Sequence, residues 1–284
     1  MAIVTHDTLI PGQAVPVDRM PGHWLLAGLG KRVLRPGGRE LTDRLLGALA
    51  IGPTDDVVEL APGLGSTTEL VLGRDPATYV GVDRDPVSAE RIAHVVAGPG
   101  RSVVEGSAAA TGLDDDSADV AFGEAYLTMQ PAGQKKRIAE ELARIVRPGG
   151  RVGLHEVAFT PDDIDGATAE SIREQLTGAI KVHVSPLTVT GWSALLTDAG
   201  FDVQARCTAP LHLLEPRRLL ADEGLVGAAR FVGNVIRRPD ARARVLAMRR
   251  AMGGNAAHLQ ACVVVATRRS ERSSLTLADT RPLQ

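Results

Sequence analysis

Two acidic residues and a glycine-punctuated turn form the part of this chain best suited to chemistry. Glu59 lies in a short apolar strand, and Gly63 and Gly65 punctuate the turn that follows. A second apolar strand ends in Asp83, twenty residues after Gly63. Glycines let the backbone approach a ligand that a Cβ would block, and an acid at the second strand can accept hydrogen bonds from both hydroxyls of a ribose. The pattern predicts a βαβ nucleotide pocket.

The spacing within the turn narrows the choice of nucleotide. The NAD fingerprint needs a small residue three places after the second glycine, where this chain has Thr68. The run resembles instead the first motif of class I S-adenosylmethionine (SAM) methyltransferases, an acid followed by x-G-x-G-x-G. Glu59 matches the acid, Ala61 replaces the first glycine, and Gly63 and Gly65 match the other two. The resemblance, to the type 11 and type 25 methyltransferase domains, implies that SAM binds here.

Further motifs of the same family follow in the right order. Residues 106–108 read Gly-Ser-Ala where many members have Gly-Asp-Ala, and 113–120 resemble the family's LPFPDNSFDVV run. Residues 141–150 resemble its RVLKPGG signature, and 192–201 its later W…L…AGF segment. The match is continuous over about 45–157, which is more specific than any single motif.

The resemblance assigns roles in cofactor binding. It implies that Asp83 accepts hydrogen bonds from the ribose hydroxyls and that Glu59 orients the glycine loop or meets the methionine ammonium indirectly. It implies that Ser107 faces the adenine amino group and that the Ala108 N–H meets a ring nitrogen. Arg84 either packs over the adenine or is solvated. The predicted cofactor residues are Glu59, Ala61, Gly63, Gly65, Asp83, Arg84, Ser107, Ala108 and Glu124.

Catalytic candidates follow the fourth and fifth predicted strands. Transfer from a sulfonium mainly needs positioning and desolvation, but an oxygen or acidic carbon acceptor also needs a base. The ligand crevice of a doubly wound sheet lies beyond its carboxyl strand ends. This places Glu124, Tyr126, His155 and Glu156 at the acceptor mouth. We predict His155 with Glu156 as the base, with a satisfied structural histidine as the alternative, and Tyr126 as a positioning or lining residue. His183 is a second candidate base, and no metal-ligand spacing occurs.

Short apolar strands alternate with helices along the chain. Strands are predicted at 56–61, 79–82, 102–104, 118–122, 151–155, 201–204 and 262–266. Such alternation indicates a parallel sheet covered on both faces. We expect an α/β, doubly wound Rossmann-like fold with the family's seven-stranded sheet, an antiparallel last strand and a helical insertion between the last two strands.

The chain divides into three predicted parts. They are a lead-in and covering segment at 1–39, the SAM-binding methyltransferase domain at 40–269 with its insertion at about 209–258, and a disordered tail at 270–284. The insertion is long enough to cap the ligand edge or to form a homodimer contact. His23 and Trp24 in the covering segment are expected to close over the site.

Composition limits the partners and the location. The 284 residues carry a net charge of −2 and 3% aromatic residues, which disfavours nucleic acid as a partner. No apolar run is long enough for a membrane span and no signal peptide is evident, so we expect a cytoplasmic protein. Cys207 and Cys262 lie in apolar runs and are expected to be buried, reduced thiols.

These observations predict a SAM-dependent methyltransferase that releases S-adenosylhomocysteine and acts on a small, partly apolar molecule at oxygen or carbon. One alternative is an RNA methyltransferase that uses the arginine-rich run 237–250. The other is a SAM-binding regulatory subunit without activity, suggested by Ala61 and Ser107 in place of the motif residues. A dehydrogenase is a more distant reading, because the NAD spacing fails.

Overall fold

The computed structural model describes residues 10–270, in which eight strands form one sheet. The strands are β1 Asp56–Leu60, β2 Thr78–Asp83, β3 Arg101–Glu105, β4 Ala118–Glu124, β5 Val146–Phe159, β6 Leu187–Thr188, β7 Phe201–Pro210 and β8 Leu259–Arg268. Their order is β3-β2-β1-β4-β5-β8-β7, with β6 paired to the end of β5. The first five strands run parallel, whereas β8 is antiparallel to both β5 and β7. The strand order reverses between β1 and β4, where sheets of this kind bind ligands.

Helices cover both faces of the sheet, as the sequence predicts. The helices are α1 Gly22–Gly28, α2 Gly38–Leu49, α3 Ser66–Leu72, α4 Pro86–Val95, α5 Ala132–Ile145, α6 Gly166–Ile180, α7 Val189–Asp198, α8 Pro216–Arg237 and α9 Pro239–Gly254, with a 3₁₀ turn at Leu127–Met129. One buried cluster joins the sheet to α2, α3 and α4, and a second joins it to α5 and α7. The doubly wound fold is confirmed, and the two-residue β6 extends the predicted seven strands.

A separate layer lies beyond the carboxyl edge of the sheet. Helices α1, α8 and α9 share their own buried cluster, to which Leu25, Phe231 and Met248 each contribute from a different helix. Helices α8 and α9 form the predicted insertion between β7 and β8, and α8 is interrupted at Gly224, where φ is 69°. We call this layer, with residues 10–37, the cover. The predicted tail lies, apart from residue 270, outside the described residues.

One predicted boundary is wrong in a way that matters for the site. Strand β5 was expected at 151–155, but it extends to Phe159 because β8 pairs with it from Arg151 to Phe159. Residues 155 and 156 therefore lie within the strand, rather than at its end and in the loop after it. Among the described residues, no helix is long and apolar enough to cross a membrane.

Candidate active site

A cavity of about 740 Å³ lies between the carboxyl ends of the strands and the cover, within the size range of small-molecule sites. One part of its lining comes from the ends of β1, β2, β3 and β4: Glu59, Ala61, Pro62, Gly63, Leu64, Asp83, Arg84, Gly106, Ser107, Ala108 and Glu124. A smaller cavity of about 220 Å³ reaches Asp56 and Thr78, at the amino ends of the strands and away from this crevice.

The other part of the cavity, which we call the apolar lobe, is built from the cover and the elements next to it. Its lining side chains are Leu176, Ile180, Val182, Val184, Leu211, Leu213, Met248 and Met252. These residues belong to α6, to the segments after α6 and β7, and to α9. Because they come from distant parts of the chain, no single motif marks the lobe.

The glycine turn after β1 has the backbone that its sequence requires. Gly63 and Gly65 have φ of 57° and 80°, and a Cβ on Gly65 would lie 2.9 Å from the Ile92 side chain. Gly65 also stands at the N-terminal end of α3. Ala61 has a φ of 55°, a conformation that costs alanine about 1–2 kcal/mol relative to a right-handed one. The first motif position is therefore one that glycine would fit more easily, as in the family pattern.

Asp83 is held at the end of β2 and lines the cavity. Its Oδ2 accepts a hydrogen bond from the Gly63 N–H at 3.1 Å, and its Oδ1 accepts one from Asp85 N–H at 3.0 Å. Burial raises the pKa of Asp83, an effect that these two bonds oppose. The helix N-cap is Asp85, which accepts hydrogen bonds from Val87 and Ser88, so Asp83 is not needed for capping.

The remaining predicted cofactor residues lie around the same part of the cavity. Arg84 is exposed at its edge, beside Asp83. Ser107 and Ala108 line it after β3, and the Ser107 Oγ accepts a hydrogen bond from the Ala109 N–H at 3.2 Å. All of the predicted cofactor residues except the buried Gly65 thus line one cavity, at the position where the strand order reverses.

Glu59 is almost fully buried, with 3% of its surface exposed. Its Oε2 accepts hydrogen bonds from the Thr68 hydroxyl at 2.8 Å and the Tyr79 hydroxyl at 2.6 Å. Burial raises the pKa of Glu59 to about 7, and the two hydroxyls only partly oppose this. Because Thr68 lies in α3, the contact connects the strand to the helix that follows the glycine turn.

Glu124, on the neighbouring strand β4, is also buried, but its partners include a charged guanidinium as well as hydrogen-bonding side chains. Burial alone would raise its pKa, but the Arg35 charge and the hydrogen bond from His155 lower it to about 2. The Arg35 Nε lies 3.5 Å from Oε2, and the His155 Nδ1 lies 2.6 Å from Oε1. The hydroxyls of Thr42 and Thr67 also donate to this carboxylate. Glu124 therefore joins α2, α3, β5 and the cover below the cavity.

The predicted base pair, His155 with Glu156, is corrected by the structure. Neither residue lines the cavity, and both are fully buried. Successive strand residues point to opposite faces, so the two side chains cannot act together. The two ring nitrogens of His155 lie against the Glu124 carboxylate and the Pro36 carbonyl, so neither nitrogen is available to a ligand in the cavity.

Glu156 has an equally complete set of partners on the other face. Its two oxygens accept hydrogen bonds from the backbone N–H groups of Tyr126, Leu127 and Thr128 and from the Thr128 hydroxyl. Burial raises its pKa, which these bonds oppose. Glu156 thus shapes the turn after β4 and has no free position toward a ligand.

Tyr126 does line the cavity, as predicted. It is 4% exposed, and its hydroxyl has no hydrogen-bond partner within residues 10–270. Burial, together with the charge of Glu156, holds its pKa well above the usual value of 10. A buried phenol of this kind is a neutral donor without a protein partner, which suits a ligand that supplies an acceptor atom. His183 is exposed and lines the same cavity.

Sequence motifs mark less clearly the part of the site that the cover forms. Trp24 of α1 lies over the glycine turn, with its ring 3.7 Å from where a Cβ on Gly63 would lie. His23 and Arg35 line the same cavity. The sequence predicts that His23 and Trp24 close over the site, whereas Arg35 has no motif around it.

The chain is similar to known methyltransferases in sequence and in fold. A family model for a methyltransferase domain matches residues 57–150. An uncharacterised protein of Haemophilus influenzae is 31% identical over 221 residues, which cover 76% of this chain and 86% of that protein. An arsenite methyltransferase of Halobacterium salinarum is 28% identical over 162 residues, 54% of this chain and 39% of that enzyme.

A solved structure shows the same architecture. A protein of Galdieria sulphuraria whose crystal structure is described as that of a sarcosine dimethylglycine methyltransferase superposes on this chain with a TM-score of 0.63. The two are 15% identical, and the match covers 81% of this chain and 84% of that one. With the motif set and the sheet order, these findings define the class of protein. The chain belongs to the class I SAM-dependent methyltransferase family, and its cofactor is SAM.

The residues around the cavity fit this cofactor. The backbone of the glycine turn leaves room for a ligand beside Gly63, and Asp83 is buried at the end of β2. Buried polar atoms of Tyr126 and His23 have no partner among the described residues, as expected where a ligand supplies the missing bonds. No group of His, Cys, Asp and Glu in the described part of the chain could hold a metal ion.

Proposed function

We propose that this methyltransferase acts on a small, largely apolar molecule and transfers the methyl group to oxygen or carbon. The observation that carries the proposal is the apolar lobe, which is continuous with the part of the cavity that contains the glycine turn. Eight aliphatic and methionine side chains line the lobe, and pockets of this kind bind apolar ligands with a few polar contacts for orientation.

Tyr126 is the residue we assign to orienting the acceptor. Its hydroxyl is buried and unpartnered within residues 10–270, and its raised pKa keeps it a neutral donor. A phenol can donate a hydrogen bond to an oxygen of the acceptor and hold it in line for attack. His183, exposed at the cavity, is the better-placed candidate to receive the acceptor proton now that His155 is excluded.

The chemistry asks mainly for position and exclusion of water. When bound, SAM supplies an electrophilic methyl group on a sulfonium, so the protein need not generate a reactive species. Asp83, Glu59 and the glycine turn are the residues that would hold it, and the cover shields the crevice from solvent. On the acceptor side, Tyr126 would orient the receiving atom and His183 would take the proton that the acceptor loses.

The arginine-rich run gives the RNA alternative little support. Arg237, Arg238, Arg242, Arg249 and Arg250 are exposed, and none of them lines the cavity. Arg244 donates instead to backbone carbonyls of the cover, among them that of Met20. A solvated helical face accounts for this run.

The proposal also places the protein in the cytoplasm. Cys207 is registered opposite Val263, and Cys262 opposite Thr208, so the two thiols point to opposite faces of the sheet. They cannot form a disulfide with each other there, and burial raises the pKa of both. Unreactive, reduced thiols fit a reducing compartment.

A labelling experiment tests the proposal. The protein is incubated with methyl-labelled SAM and an extract of its own organism, and the extract is separated into organic-soluble small molecules, RNA and protein. We expect the label in the organic-soluble fraction, and a Tyr126→Phe variant should reduce it more than tenfold. Label confined to RNA would favour the alternative acceptor. SAM binding without label in any fraction would favour the non-catalytic subunit.

A further inference from the structure

His23, the second residue of α1, lies at the cavity on the cover side. The side chain is half-buried, but its Nδ1 is fully buried and has no hydrogen-bond partner within residues 10–270. Native structures satisfy nearly all such atoms, so an orphaned ring nitrogen facing a ligand cavity indicates a missing ligand atom. The Trp24 ring packs edge-on against it, with the two ring centroids 4.5 Å apart at 61°.

The position of His23 indicates which part of a ligand it meets. The charges of Arg84 and Asp85, the two residues after Asp83, both act on its ring. The neighbouring Trp24 ring lies 3.7 Å from where a Cβ on Gly63 would lie, and the Gly63 N–H donates to Asp83. His23 is thus near the end of β2, the strand end that the family motif assigns to the ribose. The apolar lobe is formed instead by α6, α9 and the segment after β7.

The position of α1 is set by close contacts behind it. A Cβ on Gly22 would lie 2.6 Å from the Met248 Sδ and 3.1 Å from the Ile180 side chain, so glycine allows α1 to approach α9 and α6. The next residue is His23. The helix that carries the imidazole is therefore held by packing and not by the ligand, which is the arrangement expected of a preorganised contact.

The charge state of His23 suits a cationic cofactor. Burial first, and then the positive charge of Arg84, lower its pKa to about 4, against a smaller opposing effect of Asp85. At neutral pH the ring is therefore uncharged, with one donor and one acceptor nitrogen. A neutral ring can bond a ribose hydroxyl or an adenine atom without repelling the sulfonium.

We propose that His23 is a cofactor-binding residue that hydrogen-bonds the adenosine part of SAM from the cover. The site would then have two walls around the ribose and adenine, with Asp83 on the sheet and His23 on α1. This inference rests on the assignment of SAM to the cavity, but it adds a contact outside every motif of the domain.

The test compares two ligands that share the adenosine part. S-adenosylhomocysteine contains the amino-acid chain, whereas 5′-methylthioadenosine lacks it. Their dissociation constants are measured by isothermal titration for the wild type and for His23→Phe, which keeps a flat ring beside Trp24 without polar atoms. We expect both ligands to bind about fivefold more weakly, the effect of one neutral hydrogen bond. His23→Asn, which keeps a polar group, should lose less.

A matched control and a second measurement keep the outcomes distinct. The side chain of His212 is 42% exposed, pairs with Glu215 and does not line the cavity, so His212→Phe should leave both constants unchanged. If His23→Phe does not fold, the ring ¹⁵N signals of His23 in the wild type should shift on saturation with 5′-methylthioadenosine.

Three results would contradict the proposal. Unchanged affinities in a folded His23→Phe variant would remove the contact altogether. Weakening of S-adenosylhomocysteine alone would move the contact to the amino-acid part. Failure of the wild type to bind either ligand would instead overturn the cofactor assignment on which the inference rests.

Discussion

Glu59 and Glu124 lie on the neighbouring strands β1 and β4, and both are almost completely buried at the same cavity. Their acidities nevertheless differ greatly, with a pKa of about 7 for Glu59 and about 2 for Glu124. The number of hydrogen bonds does not explain the difference, since hydroxyl groups donate to both carboxylates. The difference lies in charge: Arg35 and His155 reach Glu124, whereas the direct partners of Glu59 are two neutral hydroxyls.

The comparison shows what each kind of partner can do. Hydroxyl donors satisfy the lone pairs of a buried carboxylate but leave most of the cost of its charge uncompensated. A buried guanidinium compensates that charge directly. Since Arg35 belongs to the cover, the charged glutamate is also the one that fixes the cover to the sheet. Glu59 stays near its point of titration and can respond to a cationic ligand.

Removing the charge of Glu124 should have the largest effect. Glu124→Gln leaves the Arg35 guanidinium buried without a counter-charge, and breaking such a pair costs about 3–5 kcal/mol. Urea denaturation at pH 7 measures the loss. Adding Arg35→Met should recover more than about 1 kcal/mol, because the orphaned cation is removed. A loss below about 1 kcal/mol, or strict additivity in the double variant, would show that the pair does not hold the cover.

The same pair predicts a pH dependence. The pKa of Glu124 is lowered from 4.5 to about 2, so its contribution to stability is fully present above pH 4.5 and is lost as the pH falls toward 2. The Glu124→Gln variant should therefore differ most from the wild type near neutral pH and approach it in acid. A difference that does not change with pH would separate the stability loss from the charge.

The stability contributed by Glu59 should change with pH in the opposite direction. Its pKa is raised from 4.5 to about 7, so the folded state holds a proton that the unfolded state has lost, and wild-type stability falls as the pH rises between those values. Over that range the shift corresponds to about 3 kcal/mol. Glu59→Gln should therefore gain about 2–3 kcal/mol relative to the wild type between pH 5 and pH 8, measured by urea denaturation.

An exposed glutamate on the adjacent helix provides the control for Glu59. Glu69 lies in α3 and is exposed, so Glu69→Gln should change stability by the same small amount at both pH values. If Glu59→Gln also showed no change with pH, Glu59 would already be charged at pH 5, and the contrast with Glu124 would disappear.

Those parts of the site that are formed by contiguous motifs could be predicted from the sequence. The glycine turn, Asp83 and residues 106–108 are contiguous motifs, each at the carboxyl end of a short strand, and the parallel sheet brings those ends together. Glu59 was found for the same reason. Glu124 was placed at the site, but its dependence on Arg35 was not visible, because 88 residues in between carry no shared pattern.

The predictions that are wrong concern residues whose surroundings depend on pairing between strands far apart in the chain. His155 was predicted to end its strand and Glu156 to follow it. Strand β8, about a hundred residues later, extends that strand to Phe159, and both residues are buried. The apolar lobe was equally out of reach, since Met248 and Met252 meet the cavity only through the packing of α9 on α1 and α6. Period and composition describe single elements and not which distant element covers them.

Removing one hydroxyl donor to Glu59 should have a smaller effect on stability. Tyr79→Phe removes one of its two hydroxyl donors, and loss of a buried hydrogen bond costs about 1–2 kcal/mol. Because the remaining hydroxyl of Thr68 stabilises the charged carboxylate less well, the pKa of Glu59 should rise further. The loss of stability should thus be larger at pH 8 than at pH 5. An equal loss at both values would mean that Tyr79 contributes only packing.

The smallest effects concern the turns that follow the two strands. Ala61 comes just after β1 and Ala125 just after β4, and both have a left-handed backbone, with φ of 55° and 56°. Their N–H groups donate to Val82 and His155 carbonyls, so either turn is held without a side chain. Ala61→Gly and Ala125→Gly should each raise the free energy of unfolding by about 0.5–1 kcal/mol.

Alanine in an ordinary helical position should respond in the opposite direction. Ala243 is exposed in α9, and Ala243→Gly should cost about 1 kcal/mol in the same urea measurement. If Ala61→Gly stabilised the fold but Ala125→Gly did not, the hydrogen-bond network around Glu124 would depend on alanine at position 125. If both variants were destabilised like Ala243→Gly, neither turn would carry backbone strain. Equal gains would show that the two strand ends differ in charge but not in backbone.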